Sequence, residues 1–418
     1  MTQRWNRDIL AGISTFLTIL YLFILYPQLL AMGGVDQGSA FTATIVVTVV
    51  STLFLGFYAN FPVALGPGLG AGAFLVYSLV LNQEISWNTA LGLVFWCAFA
   101  MFLISLFKLR QKLIYNLPPA LRIGTLSGIG LFLISIGLKE LNIIARDPDT
   151  FWKFEGIGSP THIVVFLALV LLIILYQRRV AICYIIAILF GCALGLGWNL
   201  FEIQEIAAMA PPALTTDIIQ ADLASALQIP CSLLALFLIN IFDTSASITT
   251  LASMAELSDE KGHIRNLNKV VLTDGSGSML AAILGVGTLS FLVESTVGIK
   301  VGGRTGRVAI VVAILSLCAL FFYPLIASIP FFVTAPVLLV IGGAMVMEIK
   351  KLTWNNFTDL VPALLTFITI PLTFSIYAGF ALGFVSFTIL KALRGQAKQV
   401  HPICWIITLF FLYNFFHC

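Results

Sequence analysis

The chain has 418 residues, of which 60% are hydrophobic and only 10% are charged, against roughly 25% charged in soluble domains. A net charge of +3 is no nucleic-acid signal, and the composition excludes a soluble globular protein in favour of a chain that passes repeatedly through a lipid bilayer. The seven cysteines, Cys418 among them, fall mostly inside apolar runs without metal-ligand spacing and read as small hydrophobes.

A short polar start, Met1 to Asp8, leads into a long apolar run that no cleavage site closes, so it reads as a retained first span. The predicted spans of the first half are 10–31, 40–58, 62–80, 88–107, 121–138, 162–177 and 180–200. Those of the second half are 228–252, 267–284, 286–299, 307–326, 331–348, 359–375 and 376–393. A further apolar run, 402–416, is short and aromatic, and either crosses or lies in the interface. With every span crossing, Arg7, Lys108, Arg110, Lys112, Arg178, Lys269, Arg304 and Lys350 share one side. Lys139, Arg146 and Lys153 fall on the other. The loop 201–227 carries Glu202, Glu205, Asp217 and Asp222 without a basic residue. The positive-inside rule then places the N-terminus in the cytoplasm.

Seven spans per half is an odd number, so the second half inserts upside down relative to the first. Internal echoes agree. Leu117-Pro118-Pro119 before the fifth span resembles Ile329-Pro330 before the twelfth, and Ile123 to Lys139 can be laid on Val333 to Ile349. The expected fold is an all-α polytopic membrane protein of 14 spans in two inverted repeats, with an extra C-terminal apolar segment.

Two of these segments are unsuited to a regular helix. Gly285 to Gly298 is short and rich in Gly, Ser and Thr, with Glu294 inside it; Pro62 to Phe74 carries Pro67 and the glycines 66, 68, 70 and 72. Irregular backbone at membrane depth is tolerated only where it is buried in protein or lines a cavity. The glycines either permit close helix packing or let backbone N–H groups approach a ligand at the positive end of a half-helix. Phe74 and Phe291 would either pack or wall a flat ring.

After removal of every charge that a loop or span end can solvate, three acids remain: Asp243, Asp274 and Glu294. No Lys, Arg or His stands near mid-membrane to neutralise them. An intramembrane carboxylate marks a functional site by default, and burial suits it to exchanging a proton. The alternative is that these acids accept hydrogen bonds and brace the bundle. Asn240, Thr244 and Ser247 form a polar band with Asp243, serving a ligand or gluing helices.

At this point the chain resembles the AzgA-like branch of the nucleobase–cation symporters, purine permeases related to the uracil permease fold. The resemblance rests on Leu10 to Thr18 with Tyr21 and Pro27, Tyr58 to Pro62 leading to Gly66-Pro67-Gly68, and Gly128 to Leu133. It continues through Phe242-Asp243-Thr244, Val293-Glu294-Ser295, Gly302 to Gly306, Pro371 to Ser375 and His401-Pro402. It implies short extended pieces in spans three and ten that cross near mid-membrane. It also implies a core domain (1–107 and 228–326), a gate domain (108–200 and 327–418) with the loop 201–227 between the halves, and proton-coupled purine uptake. The acids of spans eight and ten match Asp243 and Glu294. Two positions depart from the pattern: Ser247 stands where uracil-permease relatives carry His, and Gly72 where many members carry Asn.

The candidate site is therefore Asp243, Thr244, Ser247, Val293 and Glu294 with Gly70, Ala71, Gly72, Ala73 and Phe74. Asp243, Glu294 and Asp274 are the proton-coupling candidates. The expected cargo is a purine base, the coupling ion a proton, and the location the inner or plasma membrane. No further cofactor and no nucleic acid is expected. Related folds often dimerise through the gate side. Rival readings are an anion exchanger of the same fold, a permease for another nucleobase, or a channel. No nucleophile–base constellation points to an enzyme.

Overall fold

The computed structural model describes the chain except residues 1, 111–117, 148–150, 204, 209, 215–220, 260–262 and 418. Lys112, Leu117, Asp217 and Cys418 lie outside the described residues.

The first half is built from α1 (Thr2–Met32), α2 (Gln37–Phe54), β1 (Leu65–Pro67), α3 (Leu69–Ala73), α4 (Trp87–Leu106), α5 (Pro119–Glu140), α6 (Pro160–Gln177) and α7 (Cys183–Gly197). A hairpin of β2 (Ile144–Asp147) and β3 (Phe151–Phe154) joins α5 to α6. The second half holds α8 (Pro230–Met254), α9 (Leu267–Ile283), β4 (Leu289–Phe291), α10 (Thr296–Val301), α11 (Arg307–Ala319) and α12 (Phe331–Val346). It ends with α13 (Phe357–Thr373), α14 (Ile376–Leu393) and α15 (Pro402–His417). Each predicted span has a counterpart at its predicted place. Among the described residues, nine helices are long and apolar enough to cross a membrane by themselves.

Local chemistry explains the helix starts. Asp36 accepts the Ser39 N–H at 2.7 Å ahead of α2, Ser86 accepts the Thr89 N–H at 3.2 Å ahead of α4, and Ser159 and His162 form a capping box with Pro160 at the first turn of α6. Prolines 27, 336, 362 and 371 lie inside helices, as the shielded interior of a membrane bundle permits. Beyond its regular part α2 widens into a π turn over Leu55–Ala59, and α3 continues as a π-helical stretch over Phe74–Leu81.

The expected extended pieces are β1 and β4, one from each half. They pair antiparallel, with Leu65 opposite Phe291, Gly66 opposite Ser290 and Pro67 opposite Leu289. Two strands three residues long survive at this depth because their flanking backbone groups are met by side chains and loops. The Thr52 hydroxyl serves both the N–H and the carbonyl of Leu65 at 3.0 Å, and Ser278 Oγ accepts from Leu289 N at 3.1 Å. Ser295 Oγ accepts from Ala64 N at 3.0 Å, and Gly68 N donates to Thr288 O at 3.1 Å.

The helices pack as two groups. One holds α1 to α4 with α8 to α11; the other holds α5 to α7 with α12 to α14, and α15 lies along α14. Thr388 and Thr408 share a hydrogen bond between α14 and α15 at 2.5 Å. In the second group α5 and α12 cross at Gly130 and Gly342, where a Cβ on either residue would meet the other's carbonyl oxygen at about 2.5 Å. The elements that an inverted repeat would relate, β1 with β4 and α5 with α12, thus meet face to face. Polar contacts between the groups include Gln28 of α1, which donates to Ile329 O at 2.6 Å and accepts from the Thr334 hydroxyl at 2.7 Å. Ser78 donates to Phe374 O at 2.8 Å, and Trp152 of the hairpin packs 5.1 Å from the Phe374 ring.

Candidate functional site

Asp243 sits mid-way along α8, and its Oδ2 accepts the Ser290 hydroxyl at 2.5 Å. Ser290 is the central residue of β4. Because strand side chains alternate, it turns toward α8 while Leu289 and Phe291 bury themselves the other way. A methyl group added to Gly68, where β1 gives way to α3, would lie 3.8 Å from Asp243 Oδ2 and 3.3 Å from Ser290 Cβ. The carboxylate therefore faces the point at which both broken segments turn.

Glu294 lies in the single turn Val293–Ser295 between β4 and α10. Its Oε1 accepts the hydroxyl of Tyr21, on α1, at 2.5 Å. The Tyr21 ring stands 4.8 Å from that of Tyr184 on α7, at 51°, so this carboxylate faces the seam between the two helix groups. Its neighbours Leu292 and Ser295 are buried, whereas the Val293 side of the turn is 45% exposed. Neither Asp243 nor Glu294 forms an ion pair among the described residues.

Asp274 is different. Arg110, fully buried just beyond α4, forms an ion pair with it and also donates to Val271 O at 3.0 Å. The expectation that no cation reaches the intramembrane acids fails here. Arg110 belongs to a basic stretch that reads as a solvated loop, but its side chain reaches Val271 and Asp274 of α9. Burying a lone carboxylate is far costlier than burying a paired one. The Thr244 hydroxyl lies 3.5 Å from Asp274 Oδ2, which directs it away from Asp243. Asn240 gives its amide to Cys97 Sγ at 3.3 Å, and Ser247 is buried. The polar band on α8 therefore divides between Asp274, Cys97 and the interior.

The glycines of α3 are packing positions. A Cβ at Gly70 would meet Ile129 of α5 at 2.8 Å, and one at Gly72 would meet the Tyr26 ring at 2.6 Å. Tyr26 in turn donates to Val286 O at 2.6 Å. Ala71, Ala73 and Phe74 are buried. Phe291 packs edge-on to Phe61, 6.5 Å away, so neither Phe74 nor Phe291 walls an open site. Among the described residues no group of three or more His, Cys, Asp or Glu side chains is placed to hold a metal ion.

Nothing local in the sequence marks Tyr184 or Arg110 as a site residue. Ser290 alone had a local signal, the period of two across Thr288 to Phe291.

The family profile Xan_ur_permease, a permease family, matches residues 6–382. The adenine permease AdeQ of Escherichia coli (strain K12) is 33% identical over 404 residues, which cover 96% of this chain and 90% of the relative. The guanine/hypoxanthine permease PbuG of Bacillus subtilis (strain 168) is 34% identical over 427 residues, covering 99% and 97%. The transmembrane domain of a cyanobacterium bicarbonate transporter, BicA, superposes with a TM-score of 0.68 at 16% identity, over 90% of this chain and 97% of that one. SLC26A9 superposes with a TM-score of 0.64 at 14% identity, over 93% and 65%. At such identities the likeness is one of fold.

Proposed function

The chain belongs to the Xan_ur_permease family, and on that premise we propose that it imports purine nucleobases by proton symport. It is a multi-pass membrane transporter and not an enzyme. In this reading α1 to α4 with α8 to α11 form a core, α5 to α7 with α12 to α14 form a gate, and relative motion of the two exposes the site alternately. The membrane is the cell's inner or plasma membrane, with the N-terminus in the cytoplasm. The relatives support the cargo class, since they are named adenine and guanine/hypoxanthine permeases.

The observation that carries the proposal is the pair of carboxylates on either side of the β4 crossing segment, each accepting a hydroxyl and neither in an ion pair among the described residues. A purine base presents N–H donors along one edge of a flat ring, and a carboxylate is the acceptor that binds such donors most strongly. Glu294, at the seam between the two helix groups, is assigned to the substrate. Asp243, at the junction of the crossing segments, is assigned to the proton and to a second substrate contact. Arg110 already compensates Asp274, so the proton-coupling role expected for Asp274 is given to the other two acids. An anionic cargo is disfavoured, because two carboxylates would repel it in a medium of low dielectric.

The test is uptake of labelled adenine, guanine and hypoxanthine by cells lacking their own purine permeases, with and without a protonophore. Uptake of a purine that collapses with the protonophore supports the proposal. Protonophore-insensitive uptake rejects proton coupling, and absence of uptake by protein shown to be in the membrane rejects the purine cargo.

A further inference from the structure

Glu294 is held from the core side, yet its surroundings reach across to the gate. Tyr21 lies on α1 and is buried; its hydroxyl donates to Glu294 Oε1 at 2.5 Å. Its ring is covered by Tyr184, on α7 of the other helix group, with centroids 4.8 Å apart. Tyr176 of α6 backs Tyr184 at 6.5 Å, so Tyr184 is itself fixed by its own group. The chain of contact Tyr176–Tyr184–Tyr21–Glu294 is thus anchored at one end in the second group and at the other in the substrate-facing turn of the first. Two further contacts on this turn, from the Thr18 hydroxyl to the Glu294 carbonyl at 3.4 Å and from Ala64 N to Ser295 Oγ at 3.0 Å, come from the first group itself.

We infer that Tyr184 is a positioning residue through which the second helix group sets the availability of the Glu294 carboxylate. This rests on the proposed function. While α7 lies against α1, the tilted ring pair holds the Tyr21 phenol in line with Glu294, and one carboxylate oxygen is engaged. When α7 moves away, Tyr21 loses the ring that fixes its orientation. Its hydroxyl then turns from the carboxylate, which becomes free for the N–H of a flat heterocycle or for a proton. The coupling needs no direct contact between Tyr184 and the cargo. Its size is bounded by what an aromatic pair contributes, about two- to tenfold in an apparent affinity.

The experiment is a double-mutant cycle on labelled-purine uptake, with KM and Vmax measured separately and membrane abundance checked for every variant. Tyr184→Leu is expected to shift KM about two- to tenfold with a smaller effect on Vmax, while Tyr184→Phe, which keeps the ring, stays within about twofold of wild type. Tyr21→Phe removes the hydroxyl that transmits the effect, so Tyr184→Leu in that background should add little. Additive effects in the double variant would overturn the inference, because Tyr184 would then act by another route. A Tyr184→Phe variant whose KM shifts as far as that of Tyr184→Leu would also overturn it, since the hydroxyl and not the ring would be at work. If Tyr184→Leu does not reach the membrane, Tyr184→Met takes its place in the cycle with the same expectations. A wild-type protein that carries no purine is a failure of the proposed function, and is separated from the inference because the cycle is read only against measurable wild-type uptake.

Discussion

Removal of Arg110 isolates one buried charge in a membrane bundle. The guanidinium is fully buried and Asp274 is 4% exposed, so neither can turn to water when its partner is lost. Breaking such a pair from one side costs about 3–5 kcal/mol, whereas replacing both partners by apolar groups is often neutral or better. Arg110→Met should therefore be damaging and Arg110→Met with Asp274→Leu much less so. With an unfolding entropy of about 2 cal/mol/K per residue, a chain of this length would lose roughly 3–6 °C in melting temperature for the single substitution. The assay is the thermal melt of the detergent-solubilised protein for the wild type, both single variants and the double variant. A double variant as unstable as Arg110→Met, or a single variant as stable as the wild type, would refute the account of this pair. The same set measured for uptake reports whether Asp274 does anything beyond bracing: a stable double variant that transports normally confines it to structure.

Three further outcomes are expected. Ser290→Ala removes the one hydroxyl donor seen on Asp243, and a bond to a charged acceptor is worth about 1.5–3 kcal/mol, so apparent purine affinity or its proton dependence should change roughly tenfold or more; unchanged kinetics would mean that the Asp243–Ser290 contact is incidental. Gly72→Ala drives a methyl group into the Tyr26 ring, an overpacking cost of about 1–3 kcal/mol, and Tyr26→Val in the same chain should restore part of the lost stability in a thermal melt. Gly130→Val should separate α5 from α12 and lower the level of folded protein in the membrane, read by size-exclusion fluorescence of a tagged chain, because its Cβ position already meets the Gly342 carbonyl.

Much of the architecture was legible because the bilayer imposes simple rules on a sequence. Apolar length marks the helices, and glycine and proline clusters mark the two segments that cannot be regular helices. Those segments became β1 and β4 where the reading of 62–74 and 285–298 had placed the irregular backbone. Asp243 and Glu294 were visible as charges that no loop could solvate. What stayed hidden was contact between residues far apart in the chain. Arg110 reads as one more basic residue between Lys108 and Lys112, and nothing local says that it turns inward to Asp274. Gly72 reads as a lost side chain, yet the ring of Tyr26, far earlier in the chain, fills its space. Phe74 and Phe291 had the right chemistry for a ring-binding wall but point into packed protein. The aromatic groups beside Glu294 come instead from α1 and α7.

The measurement that tests the central claim most directly is purine accumulation in proteoliposomes containing only the purified protein, driven by an imposed pH gradient. The account predicts that the wild type concentrates adenine, guanine or hypoxanthine above equilibrium while the gradient lasts. It also predicts that Glu294→Gln binds and accumulates the purine at least tenfold less well, the loss of one buried charged acceptor. It further predicts that Asp243→Asn equilibrates the purine without concentrating it. Gradient-driven accumulation that survives both substitutions would contradict the account.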